Sequence, residues 1–525
     1  TSRKADGFYF SVDGYSAQVV SADFGQQGFA YTPPSGFKAV NSANLPDPTI
    51  LLPNKHFDTL LYTGNDGSQS ITGLNFQPDW AWIKERANSY HHSITDSVRG
   101  VLKTLSSSRI DIAEYSESSG LNQFLSNGLS FNGRGYFFVN RAADGVGQAY
   151  VAWNWNAGNT DSATYTVKVV SDSGNKYRFN DFGTSAVTLD LAEGGTYTFD
   201  QSDSSMSSHP MQLSTTANGT HGGGSAYSTG VTYQLDGSTV TASAFISGFS
   251  SASSRKLIIT VAASAPTLYY YCYYHSGMGG AVNTNSTLGS SNFNGTTQAV
   301  VKANTTAGFS IVTYTGTGSN ATIGHGLGVT PQTFIVKKRN NGGTNWRVYH
   351  HKLNGGSSPE DYNLILNQTS AELNRDDFND TAPTSTNFAV GTHTSTNNNG
   401  DTYVAYCFSG VAGYSKFGMY KGNGNANGTF VFTGFRPAWV LVKRTDSAEN
   451  WILKDSARNT FNGVFSNLNP NTSNAEFGSS GDVNSFDFVA NGFKIRGSNS
   501  AVNASGGSFI YFAFAESPFK NSRAR

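Results

Sequence analysis

One short cassette occurs three times in this chain, and it restricts the fold more than any other feature of the sequence. In each copy a proline is followed six residues later by a lysine, with an apolar run between them. The three pairs are Pro78 with Lys84, Pro331 with Lys337, and Pro437 with Lys443. Such short runs, rich in aromatic and β-branched residues, are typical of strands. The chain therefore contains three related units, each with a strand after its proline.

Two further sequence landmarks recur at nearly constant distances from the cassette. A Tyr-x-Gly precedes each proline by 16 or 17 residues, at Tyr62, Tyr314 and Tyr420. An aromatic strand containing alanine closes each unit, and we place its start at Tyr150, Tyr403 and Tyr511, which follow the opening tyrosines by 88, 89 and 91 residues. The period of 106 residues between Tyr314 and Tyr420 has the size of a small domain. We expect homologous domains joined in tandem, like beads on a string.

The first two units stand 252 residues apart, which exposes an inserted module between them. The predicted boundaries are a partial domain over 1–48, unit one over 49–157, the module over 158–282, an extended linker over 283–304, unit two over 305–409 and unit three over 410–525. The linker prediction rests on the Ser, Thr and Asn content of that stretch.

The composition favours an all-β chain. Only 13% of the 525 residues are charged and the formal net charge is zero, whereas glycine (58 residues) and aromatic side chains (13%) are abundant. Glycine turns between β-prone aromatic runs predict several β-sandwich domains in tandem. The chain lacks the basic footprint of a nucleic-acid-binding protein and any run long enough to insert into a membrane. Two cysteines in different domains exclude a disulfide framework.

Four tryptophans and two acid–base pairs in the units have competing interpretations. Trp80, Trp82, Trp153 and Trp155 of unit one could stack on sugars, but we interpret them as sandwich core. Asp-Ser-x-Arg occurs at Asp96 and again at Asp455, 18 residues after its proline each time. A repeated Asp–Arg pair is better explained as a brace within a loop than as catalytic chemistry.

Residues 23–37 carry Asp-Phe-Gly-Gln, Phe-Ala-Tyr and Pro-Ser-Gly-Phe in that order. This stretch resembles the closing strands of a SPRY domain, which is a concanavalin-like β-sandwich. The resemblance implies that residues 1–48 are the C-terminal part of such a domain and that further sequence precedes Thr1.

The units contain Gly-Phe-x-Pro at Gly434, Trp-x-x-x-Lys-x-Arg at Trp80, Tyr-Val-Ala-Trp at Tyr150, and Asp-Ser-x-Arg twice. Unit two departs most from this pattern, because it lacks Asp-Ser-x-Arg and ends in Tyr-Cys-Phe over 406–408. With these motifs the units resemble a domain family of unknown function that is common in virion and tail-fibre-like proteins of marine bacteriophages. The resemblance implies a virion location. The partners it implies are other virion proteins and host-surface polysaccharide, with homo-oligomerisation, a trimer being favoured.

The inserted module ends in Cys272-x-x-His275-x-x-Met278, and His209 stands upstream in an earlier loop. This arrangement resembles the cupredoxin family, which implies a cupredoxin-like domain with His209, Cys272, His275 and Met278 as copper ligands. One thiolate and two imidazoles with a distant thioether are the donor set of blue-copper sites. The alternative is a cupredoxin fold kept for architecture, without metal.

No catalytic motif stands out in the sequence, and we do not expect an enzyme. The leading hypothesis is a structural and adhesive virion protein, a tail-fibre or capsid-fibre component of a marine phage that presents β-sandwich surfaces to host glycans. One alternative is a bacterial extracellular adhesin or lectin on the cell surface. A second is a copper-binding redox protein in which the repeated units are scaffold.

Overall fold

The structure is a computed structural model, and it describes residue 44 and residues 47–111, 113–143, 145–158, 162–284, 288–479 and 481–521. Almost all of the predicted SPRY-like segment, 1–48, lies outside these residues. In the described part, strands predominate and both α-helices are short, which confirms the predicted all-β class with several sandwiches.

Unit one is a sandwich of a four-stranded sheet, in the order β1-β11-β3-β4, and a three-stranded sheet, β2-β8-β7. Two small hairpins, β5-β6 and β9-β10, complete it. The strands are β1 Phe57–Thr63, β2 Ser68–Thr72, β3 Trp80–Glu85, β4 Ser93–Asp96, β5 Lys103–Thr104, β6 Tyr115–Ser116, β7 Leu121–Leu125, β8 Gly128–Asn132, β9 Ala142–Ala143, β10 Val146–Gly147 and β11 Ala149–Trp155.

The inserted module is a sandwich of a six-stranded and a four-stranded sheet. Its elements are β12 Ser162–Ser171, β13 Asn175–Phe179, β14 Leu189–Leu191, β15 Thr196–Asp200, β16 Met211–Ser214, β17 Val231–Leu235, β18 Ser238–Val240, α1 Ala242–Gly248, β19 Arg255–Thr260, β20 Leu268–Cys272 and β21 Gly280–Thr284. The sheets run β13-β12-β15-β19-β17-β18 and β14-β21-β20-β16, and one core of its own fills the space between them.

Unit two has an eight-stranded sheet, β22-β23-β24-β31-β26-β27-β28-β29, and a two-stranded sheet, β25-β30. Its strands are β22 Ser290–Asn292, β23 Ala299–Asn304, β24 Phe309–Thr315, β25 Ala321–Gly324, β26 Thr333–Lys338, β27 Arg347–His350, β28 Tyr362–Ile365, β29 Leu373–Asn374, β30 Asn387–Val390 and β31 Thr402–Phe408. The prediction of an extended linker over 283–304 was wrong. Part of this stretch is strand β23, which pairs with β24. Alternate apolar residues of β23, such as Val301, pack into the core of unit two.

Unit three repeats the plan with a four-stranded sheet, β32-β38-β34-β35, and a three-stranded sheet, β33-β37-β36. Its elements are β32 Ser415–Lys421, β33 Phe430–Phe432, β34 Phe435–Arg444, β35 Ile452–Asp455, β36 Phe486–Val489, β37 Gly492–Ile495, α2 Ser500–Asn503 and β38 Ser508–Pro518. Short 3-10 helices elsewhere in the described chain span Pro53–Lys55, Ser204–Met206, Gly219–Gly222, Leu353–Gly356, Pro359–Asp361, Asp376–Phe378 and Phe519–Asn521.

The strand register corrects one landmark of the repeat. The opening tyrosine lies opposite the closing strand at Tyr62–Tyr150 and Tyr314–Tyr403, with stacked rings 5.0 and 5.2 Å apart. In unit three, Tyr420 lies opposite Phe509, at 4.9 Å, and not opposite Tyr511. The landmark in unit three is therefore Phe509. The sequence comparison required a tyrosine, but the structure requires only a ring that stacks.

The three units are not independent beads, because their large sheets pack face to face around one shared core. Aromatic side chains of different units touch there. Trp80 stacks on Tyr406 with ring centroids 4.5 Å apart, Phe57 on Phe514 at 5.2 Å, and Phe408 meets Phe514 at 5.9 Å. The tandem-bead expectation therefore fails, because each large sheet has two apolar faces and a separate domain would leave one of them in water.

The cassette strands show both faces directly. In β3, Trp80 and Trp82 belong to the shared core, whereas Ala81 and Ile83 pack inside unit one. Side chains of a strand alternate between its two faces, so an unbroken apolar run marks a strand buried on both sides. The same burial makes Trp80, Trp82, Trp153 and Trp155 core residues, which confirms their sequence interpretation.

A cyclic set of hydrogen bonds closes the ring of units. The indole N–H of Trp346 in unit two donates to the carbonyl of Ser106 in unit one, at 2.8 Å. The indole of Trp451 in unit three donates to Ile365 of unit two, at 3.0 Å. Unit one has histidine at the matching position. His92 accepts the indole N–H of Trp82 at Nδ1 (3.0 Å), so its Nε2–H donates to the carbonyl of Asn469 in unit three (3.1 Å).

We call the three contacts between neighbouring units seams, and each is marked by a glutamate. The backbone N–H of the glutamate donates to the carbonyl two residues beyond the cassette lysine of the next unit. These pairs are Glu114 to Arg339 (2.6 Å), Glu372 to Thr445 (2.8 Å) and Glu476 to Arg86 (2.8 Å). The repetition of one bond at all three seams shows that the ring is closed by equivalent contacts.

The seams differ in charge. Glu114 accepts hydrogen bonds from Arg99 of its own unit and from Arg339 of the next, at 2.8 and 3.0 Å. Glu476 does the same with Arg458 and Arg86, at 3.0 and 2.8 Å. The pKa of both carboxyls is lowered to about 2 by these guanidinium groups. These two arginines, Arg99 and Arg458, come from the two Asp-Ser-x-Arg motifs, so the repeated pair braces a seam as well as its loop.

The seam between units two and three has neither arginine. Thr445 stands where the other seams have Arg86 and Arg339, and unit two lacks Asp-Ser-x-Arg. The Glu372 carboxylate accepts only the backbone N–H of Asn354 among the described side-chain contacts, at 2.9 Å. Burial raises the pKa of Glu372, in contrast to its two counterparts.

Candidate metal centre

Three of the four predicted metal ligands converge at one edge of the inserted module. Nδ1 of His209 lies 3.9 Å from Sγ of Cys272, and Nδ1 of His275 lies 3.5 Å from the same sulfur. The two imidazole centroids are 4.5 Å apart. One ligand atom of each residue lies within 4.8 Å of the other two, so a single ion could contact all three.

Strand pairing brings these residues together from distant parts of the chain. Cys272 ends β20, and β20 pairs antiparallel with β16 so that Cys272 lies opposite Met211. His209 stands two residues before Met211 and thus beside the cysteine. The chain then turns back from β20 into β21, which pairs with β20 up to Gly280. His275 lies in this tight loop, and the module core fixes both ends of it.

Met278 occupies the same loop and is buried in the same core as Cys272. Its carbonyl oxygen accepts the backbone N–H of Tyr177, at 3.1 Å. The residue is therefore held near the end of the loop, while the His-Cys-His group forms the compact part of the site.

Polar contacts around the cluster fix the loops that carry it. Tyr177 donates its hydroxyl to the carbonyl of His209, at 2.9 Å. Nε2 of His221 lies 3.1 Å from the carbonyl of Cys272, and Asn218 accepts the backbone N–H of Gly277 at 2.8 Å. Such outer contacts orient ligand side chains before an ion binds. Sequence reasoning missed Asn218 and His221, because nothing in their spacing connects them to the cysteine.

The electrostatics of the cluster suit neutral nitrogen donors. Burial lowers the pKa of His209, and the neighbouring His275 lowers it further. A histidine must be neutral to bind a metal, so this shift favours the ligand form. Cys272 is fully buried and His275 is exposed, which places the sulfur inside and gives an ion access from the edge. Two imidazoles and a thiolate fit copper or zinc by donor type.

Three comparisons bear on identity. The model of a domain family of unknown function, DUF7483, matches residues 52–187 and 282–518. No curated protein and no solved structure matches the chain. In the described part of the chain, no helix has the length and apolarity to cross a membrane.

The family match covers parts of all three units but leaves out residues 188–281. This unmatched stretch contains His209, Cys272, His275 and Met278. The candidate metal centre thus lies outside the matched residues, whereas the seams lie within them. Because the match takes in more than half of the chain, the protein belongs to the DUF7483 domain family.

Proposed function

We propose that the protein is a structural and adhesive virion component, a tail-fibre or capsid-fibre element of a marine phage that presents β-sandwich surfaces to host-surface glycans. The observation that carries the proposal is the closed ring of three sandwiches around one aromatic core. A ring with two charged seams and three indole or imidazole links resists separation of its units. Such rigidity suits a protein that must hold its shape outside a cell.

The composition supports the same proposal. Polar groups here are mostly Ser, Thr and Asn rather than charges, and charged residues are only 13% of the chain. At the ionic strength of seawater, exposed charges more than a few ångström apart are screened. Buried seams and aromatic packing keep their strength under those conditions.

The expected partners remain part of the proposal, with one refinement. The resemblance to fibre proteins favours a homotrimer. The seam surfaces of the three units are already buried against each other within one chain. Any homo-oligomer would therefore form through other faces of the ring or through the module, alongside contacts to other virion proteins.

Purified particles give the direct test. The protein should co-sediment with intact virions at a fixed copy number, and antibody against the ring should reduce adsorption of particles to host cells. Recovery of the protein only from the envelope or medium of uninfected bacteria would overturn the virion location. That result would support the extracellular adhesin or lectin instead.

Copper binding is the second proposed property, and the His209–Cys272–His275 group is the observation that favours it. Copper held there would stabilise the module, because a ligand that binds only the folded state adds its binding free energy to folding. Metal analysis of the purified protein, with a visible spectrum after oxidation, tests it. A blue band that disappears in Cys272→Ser supports a copper–thiolate site, and a colourless protein that retains no copper refutes it. The redox alternative additionally requires reversible reduction of that band.

A further inference from the structure

The seam between units one and two contains a cleft of about 440 Å³. Five of its residues come from unit one and two from unit two; they are His91, Ser108, Arg109, Ile110, Asp111, Asn367 and Gln368. The volume lies within the range of about 300–1,000 Å³ that small-molecule sites occupy. Ring closure creates this cleft, since neither unit has both walls.

Both walls are held in place by hydrogen bonds within the protein. The side-chain amide of Gln368 donates to Asn345 at 3.1 Å and accepts from the hydroxyl of Ser370 at 3.3 Å. On the unit-two wall, Asn367 accepts the backbone N–H of Trp346 and donates to Asn345, at 2.8 and 2.7 Å. On the unit-one wall, Nδ1 of His91 lies 2.9 Å from the hydroxyl of Ser108. The indole link from Trp346 to Ser106 ties the two walls together. The cleft is therefore preorganised, which reduces the entropy lost on binding.

The charges in the cleft cancel. Arg109 donates Nε–H to Asp111 at 2.9 Å, and this bond lowers the pKa of the carboxyl to about 2, so both groups are ionised at neutral pH. Burial and the nearby Arg109 lower the pKa of His91, which keeps its imidazole uncharged. A cleft without net charge has no electrostatic preference for an ion, but it is rich in donors and acceptors.

An aromatic surface adjoins the charged pair. Tyr136 interacts with Arg109, and its ring stacks on Tyr115 with centroids 4.2 Å apart. Both tyrosines are about two-fifths exposed, at 43% and 41%. Planar amide, guanidinium and carboxylate groups bind adjacent hydroxyls, and an exposed ring offers the apolar face against which a pyranose packs.

We propose that this cleft is a binding site for an uncharged saccharide. Arg109, Asp111 and the second amide N–H of Gln368 form the hydroxyl-binding groups, and Tyr136 forms the packing surface at the edge. The proposal rests on the proposed adhesive function and gives it one location. The seam between units one and two would then bind a ligand in addition to closing the ring.

The chain supplies a matched control. Asn471 of unit three accepts the backbone N–H of Trp451 as Asn367 accepts that of Trp346, so Thr472 corresponds to Gln368 and lies outside the cleft. The comparison therefore uses Gln368→Ala and Arg109→Ala against Thr472→Ala. Equal thermal unfolding of the three variants ensures that each result reports on binding rather than folding.

The test is saturation-transfer NMR of the full chain with a panel of neutral disaccharides, namely lactose, maltose, cellobiose and N,N′-diacetylchitobiose. We expect at least one to bind the unmodified chain and Thr472→Ala equally, and to bind each cleft variant about tenfold more weakly, the effect of losing one buried hydrogen bond. Undiminished binding to the cleft variants would overturn the cleft while leaving an adhesive function intact. Absence of binding to the unmodified chain would overturn the cleft and count against glycan adhesion as well.

Discussion

The three seam glutamates offer a comparison in which the protein provides its own control. Glu114 and Glu476 each lie between two arginines, whereas Glu372 occupies the same position without an arginine contact among the described residues. Replacing each glutamate with glutamine removes one negative charge and preserves size. The three variants therefore separate the effect of charge from that of the shared backbone bond.

The expected magnitude follows from the pKa values. In the folded chain the pKa of Glu114 and of Glu476 is lowered from 4.5 to about 2. A difference of about 2.5 pKa units corresponds to about 3 kcal/mol of unfolding free energy at pH 7. Because these carboxyls are mostly buried, with 11% and 16% of the side chain exposed, water screens little of that contribution.

The direction of the pKa shift determines how the unfolding free energy changes with pH. A lowered folded-state pKa gives stability that is complete above pH 4.5 and decreases as the pH falls towards 2. Glu114→Gln and Glu476→Gln should therefore lose about 3 kcal/mol at pH 7 but only about 1 kcal/mol at pH 3. Burial raises the pKa of Glu372, so its ionised form is disfavoured in the folded chain. Glu372→Gln should leave stability at pH 7 unchanged or higher.

Urea unfolding followed by tryptophan fluorescence suits this measurement. All seven tryptophans lie in the three units and none in the inserted module, so the signal reports on the ring alone. A charge contribution at the two arginine-lined seams would be contradicted if Glu372→Gln lost as much stability as its two counterparts, or if all three substitutions were neutral at pH 7.

Three further predictions use other features of the units and the module. Burial lowers the pKa of the cassette lysines Lys84, Lys337 and Lys443 from 10.5 to about 8. The unfolded chain thus holds more protons between pH 8 and 10.5, and unfolding free energy should rise over that window, with a smaller slope in Lys337→Met. Trp451→Phe should cost about 1–3 kcal/mol more than Trp439→Phe in the same urea assay, because of these two indoles only that of Trp451 donates to a carbonyl of a described residue. Equal losses would contradict the indole link. If copper binds the module, saturating it to about 100 times its Kd should stabilise the module by about 2.7 kcal/mol. Circular dichroism melts should show no such gain in His209→Ala.

The sequence was sufficient to predict the class and the repeat. Near-constant spacing between Tyr62, the cassette and Tyr150 reflects a sandwich whose opening strand pairs with its closing strand. The register of unit three was misplaced by two residues, because the repeat was aligned on Tyr511. The residue that stacks on the opening tyrosine is Phe509. The stretch 283–304 was misread because the Ser, Thr and Asn residues that precede β23 resemble a linker in composition, whereas β23 itself is buried or half-buried throughout.

The closed ring could not be predicted, since two of its three seams join residues more than 200 positions apart. Glu114 and Arg339 are separated by 225 residues, and Arg86 and Glu476 by 390. The unbroken apolar runs in β3 and β34 did carry a signal, because strands buried on one face alternate in polarity. Three of the predicted metal ligands, His209, Cys272 and His275, converge in space, but the sequence did not indicate the contacts of Asn218, His221 and Tyr177 around them.

The seams and the shared core imply that the three units unfold as one cooperative ring. Native-state hydrogen exchange in Glu476→Gln tests it most directly, because Glu476 contacts units three and one but not β26 of unit two. In a cooperative ring the slowest amides of β26 lose as much protection free energy as those of β3, about 3 kcal/mol at pH 7. Unchanged protection in β26, with losses confined to units one and three, would contradict the ring and restore three independent domains.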